Sequence, residues 1–399
     1  MMATEPLELD LLAVEDAAEL LGVKPSTLYA YVSRGLLPRH TRPGSRNSWF
    51  DLADLERIRR SDKARRHPRR TAQVDRSEVT SIVEDRLYFR GQDAVKLACE
   101  LPFEQAVEWL WNPAGPDTGP WAAPADLDRW LGAISADVPE LTTPVDRLKI
   151  TITLAGAADP MRYDLSRPAV LSAGRTMLAS SVHSLPPLAA GSADNGGLAS
   201  RLWPRLTAAP GDAHTTALLG STLVVLADHG MAPSTRAVRA AAAVGADPYS
   251  VVLTGMNVAS GLLHGGSSLA VHALLTDIGT ADWVPVVVAD RLRRGDTLPG
   301  FGQPRYEGRD PRAELVLGRL LDRAPDPERA AVVRSVTELV QRRRGLHPNI
   351  EFALGSLCFV HDMVRGAGEA IFSIARSAGW IAHACEEYAA KPELAGQHG

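Results

Sequence analysis

His264 stands in the run Leu262-Leu263-His264-Gly265-Gly266-Ser267-Ser268, between an apolar pair and two glycines. Glycine lets backbone approach a ligand closely, so an imidazole in this setting suits a place where a small molecule is held. A second histidine, His229, follows an apolar run at 223–226 and Ala227-Asp228, and precedes Gly230. Gln303 ends Leu298-Pro299-Gly300-Phe301-Gly302-Gln303, with Tyr306, Asp310, Pro311 and Arg312 after it. Glutamine donates a hydrogen bond but cannot transfer a proton at neutral pH, whereas arginine can grip a carboxylate through two parallel bonds. Glu351, in Pro348-Asn349-Ile350-Glu351-Phe352, reads either as a base or as a helix-start acid favoured by the dipole. Arg376 lies in Ile374-Ala375-Arg376-Ser377-Ala378-Gly379-Trp380-Ile381-Ala382-His383. Imidazoles, one carboxylate and guanidiniums together suit proton transfer beside an anionic substrate.

Helices must position these groups. Residues 93–111 read as helical, broken by Pro113-Ala114-Gly115-Pro116, and 144–157, 168–184 and 213–226 are further helical segments. Val332, Val333, Val336, Leu339 and Val340 form a stripe at helical spacing. Two-residue alternation is nearly absent, so the expected fold class of the body is all-α. Residues 83–91 form a short extended piece ending in Arg90-Gly91.

The first 60 residues are organised differently. Val14, Ala17, Ala18 and Leu21 mark one face of a helix that Gly22 ends. Pro25-Ser26-Thr27 opens a second helix, 27–33, closed by Gly35, and a third starts at Asp51-Leu52-Ala53-Asp54. Leu28, Val32, Leu36 and Trp49 are the expected core. This pattern resembles the winged helix-turn-helix of the MerR and excisionase families. The resemblance places Ser26, Thr27, Tyr29 and Tyr31 on or near a groove-facing helix, and Arg34, Arg42 and Arg46 on DNA phosphates. A protein-docking role is the alternative. Residues 61–80, with Arg65, Arg66, Arg69 and Arg70, read as a basic linker. Between Lys24 and Arg70 there are 13 Lys/Arg against 4 Asp/Glu, a net +9 in a chain whose total is −4. A basic module on an acidic body suits a polyanionic partner for the module alone.

At 399 residues the chain can bury a large core, and 45% hydrophobic content with 23% charge is that of an ordinary globular protein. No run of 18 apolar residues exists, so no membrane span is expected. Cys99, Cys358 and Cys385 lack metal-ligand spacing and read as buried thiols in a reducing cytosol. No metal or resident cofactor is expected.

His229, His264 with its glycine pair, the Gly-Phe-Gly turn at 300–302, Asp310-Pro311-Arg312 and Arg376 in that order resemble the citrate synthase family, over about 82–388. The resemblance implies a large helical domain (81–265 and 366–399) and a small one (266–365) that closes over the substrate, with hinge positions at Gly265-Gly266. It implies a homodimer and condensation of an acyl-CoA with a 2-oxo acid. In that reading His264 stabilises the enol of the acyl thioester, while His229, Arg312 and Arg376 bind the oxo acid. Position 303 normally holds a histidine that protonates the keto oxygen, and position 351 an aspartate base. Here they are Gln303 and Glu351. Losing general-acid help costs roughly 10²–10⁴-fold. Glu307 stands where the family commonly has a cation near the CoA phosphates, flanked by Arg305 and Arg309. Gly230 replaces a glutamate, and the arginine-rich tail is not matched at 388–399. Arg239 reads as a structural ion partner. Three readings stay open: a condensing enzyme with altered or reduced turnover, an inactive ligand-sensing DNA-binding regulator, and a partner subunit in a heterodimer with an active citrate synthase paralogue.

Overall fold

A computed structural model describes residues 11–21, 23–33, 37–41, 48–51, 54–55, 77–112, 115, 121–135, 142–188, 196–261 and 264–391. The chain divides into two units, 1–73 and 74–399.

In the first unit β1 (Leu11–Ala13), α1 (Val14–Leu21), α2 (Pro25–Ser33), β2 (His40–Thr41) and β3 (Ser48–Asp51) follow in order. The strands form an antiparallel sheet in the order β1-β3-β2, with Ala13 and His40 both opposite Trp49. Alternation along β3 buries Ser48 and Phe50. Phe50 joins Val14, Ala17, Ala18, Leu28, Leu37 and Leu55 in a small core. Three expectations shift here. Val32 only packs against the edge of that core, and Trp49 is partly buried. Asp51 closes β3 instead of opening a helix, because its backbone pairs with Leu11; helix is present at Asp54 and Leu55. Leu36 and the caps Gly22 and Gly35 lie outside the described residues.

The second unit opens with a three-stranded antiparallel sheet, β4 (Thr80–Val83), β5 (Arg86–Phe89) and β6 (Gln92–Asp93). Its remaining described elements are helical: α3 (Ala94–Glu100), α4 (Phe103–Trp111), α5 (Ala125–Ser135), α6 (Pro144–Ala158), α7 (Arg167–His183), α8 (Leu198–Leu206), α9 (Ala213–Leu226), α10 (Pro233–Ala243), α11 (Pro248–Ala259), α12 (Ser267–Ile278), α13 (Val284–Arg293), α14 (Pro311–Asp322), α15 (Pro327–Arg344), α16 (Ile350–Val360) and α17 (Ala367–Ala389). The segment 93–111 is therefore two helices, not one. Pro102 lacks an N–H and forces Leu101 into extended backbone, which stops α3. Helices α6, α7 and α9 stand where periodicity expected them, and the valine stripe faces inward from α15.

The core is built around α17 and α16, which are apolar on nearly every face and so are enclosed by other helices. Helix α17 packs on α6, α7, α9, α10 and α11, and α12 packs on α16. Among the described residues no single helix is long and apolar enough to cross a membrane. Cys358 and Cys385 are buried thiols, but Cys99 is exposed. On α3 the inward positions are taken by Ala94, Leu97 and Ala98, which turns residue 99 outward.

Candidate active site

Four short stretches converge on one place. The first leaves the C-terminus of α9, whose start is fixed by a reciprocal cap between Asp212 and Thr215. It delivers Asp228 and His229, both buried. The Nε2 of His229 lies 2.8 Å from the Tyr306 hydroxyl, so Nδ1 is the nitrogen left for a ligand. Burial first, then the positive charges of Arg312, Arg376 and Arg305, holds His229 well below the usual histidine pKa. It is a neutral imidazole at pH 7.

The second stretch is the loop 300–312. It pairs with 347–349: the Gly302 amide donates to the His347 carbonyl and the Asn349 amide to the Gly300 carbonyl, both at 2.9 Å. Asn349 Nδ2 adds a bond to the Gly302 carbonyl, so this loop and the start of α16 form one unit. Gln303 turns back on its own loop, its Oε1 accepting from the Arg305 amide at 3.4 Å. Further along, the amides of Glu307 and Gly308 both donate to the carboxylate of Asp85, at 2.7 Å each. Asp85 sits in the β4–β5 turn, where it and Glu84 both have positive φ, 58° and 48°. That conformation is costly for residues with a side chain, and the two charge-assisted bonds offset it. Asp85 thus ties the entry hairpin to the site loop, a role the sequence reading missed.

Arg312 and Asp310 close this loop. The carboxylate of Asp310 accepts from Arg312 Nε at 2.9 Å and from Nη2 at 2.7 Å, and also from the Ile350 amide at 3.1 Å. The arginine edge expected to grip substrate is therefore already occupied by Asp310.

Glu351 follows Ile350 in the first turn of α16. A helix dipole would lower its pKa, yet the opposite holds. Burial pushes the carboxyl up to about 8 against the pull of Arg312 and Arg376. Its Oε2 is buried with no hydrogen-bond partner. A buried carboxylate oxygen without a partner is costly, and it is the feature of Glu351 that a helix-start acid alone leaves unaccounted for.

The last stretch is α17. The Gly379 amide donates to the Ala227 carbonyl at 3.0 Å, and a Cβ at 379 would collide with that carbonyl and with Asp228. Only glycine lets the helix come this close. One turn earlier, Arg376 Nε donates to the Leu226 carbonyl at 2.8 Å. Arg376 is 1% exposed, and neither of its Nη atoms has a hydrogen bond among the described residues. Burial lowers its pKa to about 10, so it stays a cation. Its guanidinium lies 4.7 Å from the centroid of Phe372, whose ring meets His264 edge-on at 5.7 Å. His264 Nε2 lies 2.9 Å from Ser234 Oγ. Burial, with help from Arg376, lowers the His264 pKa to about 4. Phe372 carried no sequence signal, because an aromatic in an apolar helix reads as core. Leu262 and Leu263 lie outside the described residues.

A buried ionic network backs the site. The His383 Nε2 lies 3.3 Å from both oxygens of Asp228. Its Nδ1 is 3.2 Å from Arg239 Nη1 and 3.3 Å from Ser77 Oγ. Arg239 pairs with Glu386 and Glu387 at 2.6 Å each, the structural role expected of it. Burial opposes the charge on Asp228, but His383 and Arg376 prevail and hold its pKa at about 2. The Glu78 amide donates to Glu386 at 2.9 Å, so the chain entering the body is fastened here too.

Other residues singled out by sequence lie elsewhere. Arg309 pairs with Glu314 at 3.2 Å on the surface and borders a groove of about 360 Å³ between α14 and α15, next to His347 and Pro348. A cavity of about 850 Å³ lies among α3, α4, α8 and α9, and none of the site residues lines it. In the first unit Ser26 and Tyr29 are exposed, Thr27 is half-buried, and Tyr31 packs against the small core. Arg34, Arg42 and Arg46 lie outside the described residues.

The family model described as "Citrate synthase, C-terminal domain" matches residues 69–394. This chain belongs to the citrate synthase family. A second model, "Helix-turn-helix domain", matches residues 11–62. Citrate synthase 2 of Bacillus subtilis is 24% identical over 339 residues, which is 78% of this chain and 89% of that protein. The 2-methylcitrate synthase of Mycobacterium tuberculosis is 26% identical over 338 residues, 79% of this chain and 84% of the relative. The citrate synthase of Haloferax volcanii is 33% identical over 170 residues, and there the match spans 42% of this chain and only 45% of the relative. Among solved structures, citrate synthase from Thermotoga maritima shares the fold with a TM-score of 0.66 at 22% identity, covering 80% of this chain and 90% of that one. A ternary complex of citrate synthase from Thermoplasma acidophilum with carboxymethyl coenzyme A and oxaloacetate gives 0.65 at 17% identity, covering 80% and 91%. The citrate-synthase-like body and the helix-turn-helix module are thus both members of known families.

Proposed function

We propose that the body condenses an acyl-CoA with a 2-oxo acid, with turnover limited by the residues at 303 and 351. The observation that carries this reading is the buried, unsatisfied Oε2 of Glu351, held within the field of Arg312 and Arg376. Glu351 takes a proton from the carbon next to the thioester carbonyl. Neutral His264 donates to the enolate oxygen, the enolate carbon attacks the keto carbon of the oxo acid as its C=O π bond breaks, and the alkoxide so formed takes its proton from water. Water then hydrolyses the thioester and releases the CoA thiol. Arg376 holds one carboxylate through its two Nη atoms, and His229 donates from Nδ1. Gln303 can polarise the keto oxygen but cannot protonate it. The groove beside Arg309 suits the CoA moiety. The small domain, 266–365, closes over 81–265 and 366–399 in a homodimer. The similarity to citrate and 2-methylcitrate synthases supports this chemistry.

The test is thiol release from acetyl-CoA and propionyl-CoA with a panel of 2-oxo acids. Release that disappears in Glu351→Gln supports the assignment. No release with any pair, from a folded protein, rejects it.

A second reading is favoured by the helix-turn-helix match at 11–62 together with the missing acid at 303. In it the body binds an oxo acid or acyl-CoA without turnover and the module binds DNA. A gel shift against the gene's own upstream DNA, with and without oxaloacetate or acyl-CoA, separates the two. A shift that responds to ligand supports it; a shift indifferent to every ligand argues against sensing.

A further inference from the structure

Resting on the reading of this place as an oxo-acid site, we propose that Arg305 grips the second carboxylate of a dicarboxylic 2-oxo acid, and that Gly230 gives it room. The cations of the site differ in what they have left to offer. Arg312 has given its Nε/Nη2 edge to Asp310. Arg376 keeps both Nη atoms and is equipped for one carboxylate. A second carboxylate needs a further donor, and Arg305 is the cation next to His229 that can supply it.

Its guanidinium has no ion pair or hydrogen bond among the described residues; only its backbone amide is engaged, with Gln303. Its Nη1 would stand 3.4 Å from a Cβ placed on Gly230. Gly230 has φ +60°, a conformation that disfavours any side chain, and it directly follows His229. A side chain there would press on Arg305 and push it off this edge of the site. The field of Arg305 is felt at His229, Arg312 and Arg376. The nearby anions are committed, Asp228 to His383 and Asp310 to Arg312. The positive charges of Arg376 and Arg305 are therefore left for a ligand with two negative groups. Arg309, by contrast, borders a separate groove with Glu314 as partner, so the CoA role that the sequence suggested for both arginines is better kept for Arg309 alone.

The experiment is calorimetric titration of the full-length protein with oxaloacetate, pyruvate and acetyl-CoA in turn. Pyruvate lacks only the distal carboxylate. For Arg305→Gln, the expected result is an oxaloacetate Kd weaker by about 10–100-fold, with pyruvate and acetyl-CoA within about twofold of wild type. Arg305→Lys should recover part of the loss, because charge is restored without the fork. Arg305 is exposed on one side, so neither variant threatens folding, and a melting curve checks this. Equal losses for both acids, a loss confined to acetyl-CoA, or a wild type that binds oxaloacetate no better than pyruvate would each overturn the proposal. Binding is read without turnover. A selective loss with no thiol release from wild type keeps the clamp and sinks the condensation; release with no selective loss does the reverse.

Discussion

Arg312 and Asp310 hold each other edge to edge, both fully buried, with the Ile350 amide as a third partner of the same carboxylate. This pair joins the start of α14 to the start of α16, and so fixes Glu351 relative to Arg312. Asp310→Asn removes the charge and leaves a buried guanidinium uncompensated. We expect a stability loss of about 3–5 kcal/mol, read from urea unfolding midpoints. An unchanged midpoint would mean that solvent reaches Arg312 more freely than the structure indicates.

In the proposed role of base, Glu351 predicts turnover that rises with pH. Its pKa is about 8, so the base form is scarce at pH 6 and abundant at pH 9. Thiol release should rise with pH through about 8 and level off above it. A flat profile between pH 6 and 9 would exclude Glu351 as the base. Stability runs the other way. The folded pKa lies above the ordinary 4.5, so the neutral acid favours the fold. That contribution is complete below about 4.5 and is lost as pH rises through 8. Between pH 5 and 8.5, wild type should therefore lose roughly 1–3 kcal/mol relative to Glu351→Gln, less than the full linkage value because the residue keeps partial solvent access.

Gln303 can be tested by restoring a proton donor. With Glu351 in place, Gln303→His should raise the rate of thiol release by roughly 10²-fold or more. No gain in this variant, or in one that also carries Glu351→Asp, would show that more than the catalytic pair limits the reaction.

Gly379→Ala probes the approach of α17 to the His229 loop. The methyl group meets the Ala227 carbonyl and Asp228, so the helix must retreat and carry Arg376 with it. The expected cost is about 1–3 kcal/mol of stability. Displacement near 1 Å would lower thiol release by roughly 10²-fold. Full activity with full stability would mean that the loop, not the helix, yields.

Much of this arrangement was legible in the chain itself. The histidines, Arg376 and Asp310-Arg312 lie in motifs, and a helix that ends just before His229 is visible as an apolar run. What stayed hidden depends on partners far apart in sequence. Nothing near Asp85 reveals that its carboxylate is bonded 222 residues away at Glu307. Ser77 and His383 are separated by 306 residues, and Phe372 looks like any other core aromatic. That Arg312 is spent on Asp310 was equally invisible, since Asp-Pro-Arg spells out the residues but not which edge faces which. Pro102, in contrast, was a readable helix breaker that apolar periodicity on both sides outweighed.

The bonds from Ser77 and Glu78 to His383 and Glu386 set a limit for anyone who wishes to cut the protein in two. A body severed at about residue 74 keeps both anchors. One trimmed six residues further, to begin at the sheet, loses the Ser77 hydroxyl and the Glu78 amide and opens the imidazole behind Asp228 to water. Such a fragment would fold around a damaged hinge pin for His229, and weak activity from it would say more about the scissors than about the protein.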